Sequence, residues 1–265
     1  MRLKIEHTTR YRFDGPVSYG LQHLRKTPKS SHNQSVIQWE TRIEGGKKET
    51  SFEDHHRNTT ELISFDRETM SLSVISEGEV ELTDTGGILG AHIGYAPLWL
   101  YEMTTPRTTV GPGVRALVKG MSEIQDVVPL HDLSDRIHNA VPYTLGASES
   151  DWSAEDALVA EKGVCQDHTH IFLACCRALG LPARYVSGYL MLDDSTTQDA
   201  MHAWAEAHVP ALGWVGFDVS NGISPDMRYV RVATGLDYSD AAPVSGMRIG
   251  GAGEDLDVQI KVAQQ

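Results

Sequence analysis

Apolar and polar residues alternate from the first positions of the chain. Leu3, Ile5, Tyr11 and Phe13 occupy strand positions, and Asp14-Gly15-Pro16 supplies the turn expected to follow. Further strands are expected over 35–44, closed by Gly45-Gly46, and over 61–65, 71–76 and 79–82. Short strands separated by turn residues predict an N-terminal domain of β-sandwich-like or barrel-like form. From Thr104 to Gly113 the chain becomes rich in threonine, proline and glycine. A linker is therefore expected over 105–113, between an N-terminal β domain (1–104) and a second unit (114–265) that ends in a strand.

Beyond the linker the period lengthens. Val114 to Ser122 and Leu130 to Val141 carry apolar residues three and four apart, the spacing of a helix face. Ser153, with Glu155 and Asp156 behind it, is placed to cap a short helix. A longer helix is expected from Cys165 to Leu179, ended by Gly180 at the C′ position and by Pro182. Strands return over 183–191, 202–209, 214–219 and 256–262. Helices followed by strands make the second half α+β, a helix bundle packed on an antiparallel sheet.

Composition narrows the range of functions. The 265 residues are 40 % hydrophobic and 22 % charged, the make-up of a globular chain. Thirty-six acidic against 23 basic side chains leave a net charge of −13. Such a surface repels phosphate backbones and anionic lipid, and no run of basic residues offsets it, so neither nucleic acid nor a membrane is an expected partner. The cysteines Cys165, Cys175 and Cys176 are too few and too clustered for a disulfide scaffold. With no secretory h-region at the N-terminus and no long apolar run, a cytoplasmic location is the expectation.

Cys165 carries the chemistry. It follows a glycine and sits at the mouth of a predicted helix, where free backbone N–H groups and the positive end of the macrodipole favour the thiolate. Gln166, Asp167 and His168 surround it with polar groups, whereas Cys175 and Cys176 lie among apolar neighbours and read as core. A thiolate nucleophile needs a base, and the base needs an orienting acceptor. The run from His202 to His208 alternates with period two, and Pro210-Ala-Leu-Gly213 turns it into a second strand that leads to Asp218. His202 and Asp218 then fall at the far ends of neighbouring strands, within reach of each other. Cys165, His202 and Asp218 together form a candidate nucleophile–base–orienter set.

The motifs Gly163-Val-Cys165-Gln-Asp, Gly180-Leu-Pro-Ala-Arg-Tyr-Val-Ser-Gly-Tyr189, His202-Ala-Trp-Ala-Glu206 and Gly213-Trp-Val-Gly-Phe-Asp218 resemble the bacterial transglutaminase-like superfamily. The opening Leu3-Lys-Ile-Glu-His-Thr-Thr-Arg-Tyr11 resembles the N-terminal β domain found before this core. The resemblance implies a papain-like core with Cys165 as nucleophile, His202 as general base and acid, and Asp218 as orienter. It also implies a thiol-dependent amide hydrolase or acyltransferase, acting on a peptide or protein amide without a cofactor. His168 stands where such proteins commonly carry an aromatic, and reads as a tolerated surface substitution. Glu206 and His208 read as a partly wet strand face, and Trp204 and Trp214 as core or cleft wall. Two other classes remain open at this level. One is a non-catalytic peptide- or protein-binding module on the same fold. The other is a metal hydrolase using Cys165, His168, His170, His202 and His208, which is disfavoured because helical ligand pairs need three- or four-residue spacing.

Overall fold

The structure, a computed structural model, describes residues 1–122, 124–149 and 151–265. In chain order the strands of the first part are β1 (Arg2–Thr27), β2 (Gln34–Glu44), β3 (Gly46–Glu53), β4 (Thr59–Phe65), β5 (Thr69–Leu82) and β6 (Ile88–Gly90). Helices α1 (Pro112–Leu117), α2 (Val128–Ala140), α3 (Ala154–Ala160) and α4 (Cys165–Ala178) follow. Next come β7 (Ala183–Leu190), β8 (Thr197–Gln198), β9 (His202–Val209), β10 (Gly213–Phe217) and β11 (Tyr229–Gly235). The chain ends with α5 (Tyr238–Ala241), β12 (Val244–Gly250) and β13 (Glu254–Gln264). Strands take 46 % of the chain and helices 20 %.

β1 organises the first sheet. No reversal occurs at Asp14-Gly15-Pro16. The strand runs through, with register shifts between Arg12 and Val17 against β5 and between Val17 and Tyr19 against β12. The expected turn is instead an irregularity within one long strand, because β1 keeps antiparallel partners beyond it. Its first half pairs β5 and β13, and its second half pairs β4 and β12. Tyr11, Phe13, Leu72 and Val74 then meet Leu24 and Ile63 in one buried cluster. β3 is absent from the sequence reading because it is polar and almost wholly exposed; it pairs with β4, and Lys47 and Lys48 blunt its edge. β5 is continuous across 77–78, where a break was expected. Gly78 lies against Trp39, and a Cβ there would collide with Gln38 O and the Trp39 ring.

The second sheet has the order β11-β7-β9-β10-β6, antiparallel throughout. α4 packs on β9 and β7, with α1, α2 and α3 around it. Ala203, Ala205 and Ala207 share a core with Ile171, Phe172 and Leu173 of α4, and their small side chains permit a close approach of helix and sheet. Leu3, Ile5, Val80, Ile260 and Val262 of the first sheet belong to that same core. The final strand, expected with the second unit, hydrogen-bonds to β1, with Leu3 opposite Gln264. The reason is its period-two apolar stripe, which buries Ile260 and Val262 beside Leu3 and Ile5.

Gly78→Ala is expected to lower stability by about 1–3 kcal/mol through overpacking and to alter Trp39 emission. Urea denaturation followed by tryptophan fluorescence measures both.

Candidate active site

Cys165 is the first residue of α4, preceded by Val164 in extended conformation. Asp167 fixes this entry: its Oδ2 accepts the Val164 N–H at 2.8 Å, and Ser148 Oγ donates to its Oδ1 at 2.9 Å. Cys165 is partly exposed, while Cys175 and Cys176 are fully buried. Burial pushes both of those thiols up, Cys175 with help from the Cys176 charge.

β9 and β10 form the expected hairpin, with Gly213 opposite Val209 and Phe217 opposite Ala205. Asp218 lies one step beyond the last pair, which puts it diagonal to His202 on the same face. His202 Nε2 donates to Asp218 Oδ2 at 2.6 Å. Asp218 is fully buried and also accepts from Tyr229 Oη (2.7 Å), Asn221 Nδ2 (2.7 Å), Ser220 N (3.0 Å) and Asn221 N (3.2 Å). Burial alone would raise its carboxyl, but these bonds and the imidazole, led by His202, hold it below the usual range. His202 and Cys165 line the same cavity, close enough for the sulfur to act on the imidazole. Burial would lower the imidazole, yet the bond to Asp218 and the nearby Cys165, with the charges of both, raise it to about 10. The three predicted residues are thus brought together: Asp218 is bonded to His202, and His202 shares a cavity with Cys165.

Tyr229, Asn221 and Ser220 escaped the sequence reading. The signal was there for two of them: Asp218-Val-Ser-Asn-Gly is a turn sequence whose aspartate bonds the N–H two residues on. The cleft before Cys165 was not visible either. It is a cavity of about 340 Å³ walled by His7, Thr9 and Tyr11 of β1 and by Leu256 and Val258 of β13, opposite Cys165 and His202. Behind this wall Lys26 Nζ donates to Thr9 Oγ1 at 2.5 Å, Thr9 meets His7 Nε2 at 3.2 Å, and His7 Nδ1 meets Tyr189 Oη at 3.1 Å. Burial lowers the Lys26 ammonium to about 7.

Two sequence readings are corrected. His168 is no surface substitution but is fully buried, its Nε2 donating to Val141 O at 2.7 Å while Nδ1 meets Ser220 Oγ at 2.8 Å. Burial lowers it, in keeping with a neutral ring that ties α4 to the turn after Asp218. Glu206 is not on a wet face. It is fully buried between Arg184 and Arg231, which outweigh the burial that would raise its carboxyl and hold it at about 2. His170 is also buried, and its Nε2 accepts the Tyr238 N–H at 3.3 Å.

Residues 116–219 match the transglutaminase-like superfamily core, and residues 3–81 match the bacterial transglutaminase-like N-terminal region. The chain belongs to the transglutaminase-like superfamily. An uncharacterized protein of Mycobacterium tuberculosis is 28 % identical over 277 residues, spanning 93 % of this chain and 87 % of its own length. Another, of Mycobacterium leprae, is 29 % identical over 283 residues and spans 99 % of both chains. A solved structure from Cytophaga hutchinsonii, described as a "putative cysteine protease", superposes with a TM-score of 0.80 at 22 % identity, covering 99 % of this chain and 90 % of that one. That likeness shows that the two chains share a fold over nearly their whole lengths. Among the described residues no helix is long and apolar enough to cross a membrane.

Two outcomes are expected for this transglutaminase-like protein. Iodoacetamide at neutral pH should label Cys165 while Cys175 and Cys176 stay unmodified, read by peptide mass mapping of the folded chain. Protonated His202 contributes stability that is complete below the ordinary imidazole value of 6.5 and is lost as pH rises through about 10. The stability deficit of His202→Gln should therefore be largest near pH 6 and shrink towards pH 10 in a series of thermal melts.

Proposed function

We propose that this chain is a thiol-dependent amide-bond hydrolase or acyltransferase, a transglutaminase-like cysteine peptidase in the broad sense. Its substrate would be a peptide or protein amide, and no cofactor is required. The observation that carries this reading is the His202 imidazole, hydrogen-bonded to buried Asp218 and lining one cavity with partly exposed Cys165. A purely structural histidine has no need of a partly exposed thiol beside it in an open cavity. A binding module would not need the pair beside an open cavity.

In this mechanism Cys165 attacks the carboxamide carbon as a thiolate, with the proton held on His202. The first-turn N–H groups at the start of α4, beside Cys165, would stabilise the negative charge that develops on the carbonyl oxygen. His202 then gives its proton to the departing ammonia or amine, leaving a thioester on Cys165. Water or an amine, deprotonated by His202, releases the acyl group. Asp218 keeps the ring oriented and stabilises its charge in both halves of the cycle. Leu256 and Val258 of β13, with Val164 and Met201, would give the thioester apolar surroundings on part of the cleft. A reducing cytoplasm suits an accessible catalytic thiol.

Mass spectrometry of the chain incubated with glutamine-containing peptides tests the reading. An adduct on Cys165, lighter than the peptide by ammonia, is expected and should vanish in Cys165→Ala. Asp218→Asn should lower turnover by about 10²–10⁴ while the adduct site is unchanged. Product mass then separates water from amine as acceptor. Turnover that survives Cys165→Ala would overturn the assignment.

A further inference from the structure

A second cavity, of about 660 Å³, shares no lining residue with the one at Cys165. It lies between connecting segments of the first sheet and the β7, β10 and β11 strands of the second. Its size is that of a small-molecule site. Lys29, Arg57, Arg184 and Arg231 reach it, and Glu53 is its one acidic lining residue. On a chain with a net charge of −13 this is a local inversion of sign. The four cations come from distant parts of the chain, which is why no basic run betrays them.

The two inner guanidiniums are fixed in place. Arg184 Nε donates to Glu206 Oε2 at 2.6 Å and its guanidinium lies 3.8 Å over the Trp214 ring. Arg231 donates through Nε to Glu206 Oε1 at 2.7 Å and through Nη2 to Oε2 at 3.1 Å, while its backbone is clamped by Gln34. One carboxylate beneath two guanidiniums leaves positive charge over, and Arg231 Nη1 has no protein acceptor among the described residues. Lys29 Nζ donates to His56 O (3.1 Å), Asn58 Oδ1 (2.9 Å) and Thr234 Oγ1 (3.2 Å), all neutral oxygens. Burial first, then Arg231 and Arg184, holds its ammonium well below the ordinary lysine range. Arg57 faces Glu53 at 3.5 Å at the outer rim. A network that only joined two sheets would be stabler with its charges matched and its space filled, since unmatched buried charge is costly. Here surplus cations, preorganised by stacking and by Glu206, border an open volume.

We propose that this cavity binds a small organic polyanion carrying two or more carboxylate or phosphate groups. With their inner N–H groups held by Glu206, the remaining terminal N–H groups of Arg231 and Arg184 would engage one oxyanion. Arg57 supplies further charge at the rim, and apolar Val36, Leu89 and Ile93 border a short carbon skeleton. The site is independent of the chemistry at Cys165.

Calorimetric titration of the full chain with inorganic pyrophosphate and with citrate, at fixed ionic strength, tests this. One saturable site per chain is expected for at least one probe, with the same affinity in Cys165→Ala. Pyrophosphate alone assigns a phosphate ligand, and citrate alone a carboxylate. Arg231→Gln should weaken binding tenfold or more. Arg57→Gln, at an exposed position where folding is not at stake, should weaken it several-fold, and Glu53→Gln should tighten it about twofold or more. The last effect has no counterpart if the cluster is merely structural. No saturable binding of either probe, or binding indifferent to Arg57→Gln and Glu53→Gln in folded protein, overturns the proposal.

Discussion

A carboxylate removed from water is stable only if every lone pair is answered, and Asp218 meets that condition with five donors drawn from β9, β11 and its own turn. Because the group is fully buried, the five donors and the imidazole charge hold it ionised. That fixed negative charge holds the His202 ring at one angle and favours its protonated form. The ring in turn faces Cys165 at the start of α4. Withdrawing the carboxylate would leave buried donors unmet and an imidazolium uncompensated, a loss of about 3–5 kcal/mol on the scale of broken buried pairs.

The long β1 strand links this local arrangement to the rest of the molecule. Its first half contributes Leu3 and Ile5 to the core shared with α4 and β9, and His7, Thr9 and Tyr11 to the wall of the catalytic cleft. Lys29, just past its end, enters the cationic cavity. The first sheet is therefore part of both cavities, and the closing strand β13 locks it in place by pairing with β1 over eleven positions, Leu3 to Phe13. Burial of charge follows one rule throughout. Asp218 and Glu206 are held ionised by several partners each, whereas Lys26, whose Nζ donates to the neutral Thr9 hydroxyl, is pushed down to about 7.

Features encoded within some twenty residues were readable before any coordinates. The hairpin joining His202 to Asp218 follows from alternation and a Pro-Gly turn, and the start of α4 at Cys165 follows from its glycine and its apolar periodicity. Features that depend on distant partners were not. β3 is polar because it is an edge strand, so its burial pattern carries no alternation. Asp14-Gly15-Pro16 has the composition of a turn, yet neighbours from both ends of the chain keep β1 extended across it. Glu206 looked solvated because its two arginines lie 22 and 25 residues away, on strands that only the fold brings alongside. His168 looked superficial because its hydrogen-bond partners come from the end of α2 and the turn after β10.

The arrangement turns on one imidazole shared between a thiol and a carboxylate. Nitrogen-15 NMR of the histidine rings across pH 6 to 11 reads its protonation directly. His202 should remain doubly protonated well above neutrality, titrating near its elevated value of about 10, and should titrate lower in Cys165→Ala. A ring that is already neutral at pH 7, or one whose titration ignores the loss of the sulfur, would contradict the account.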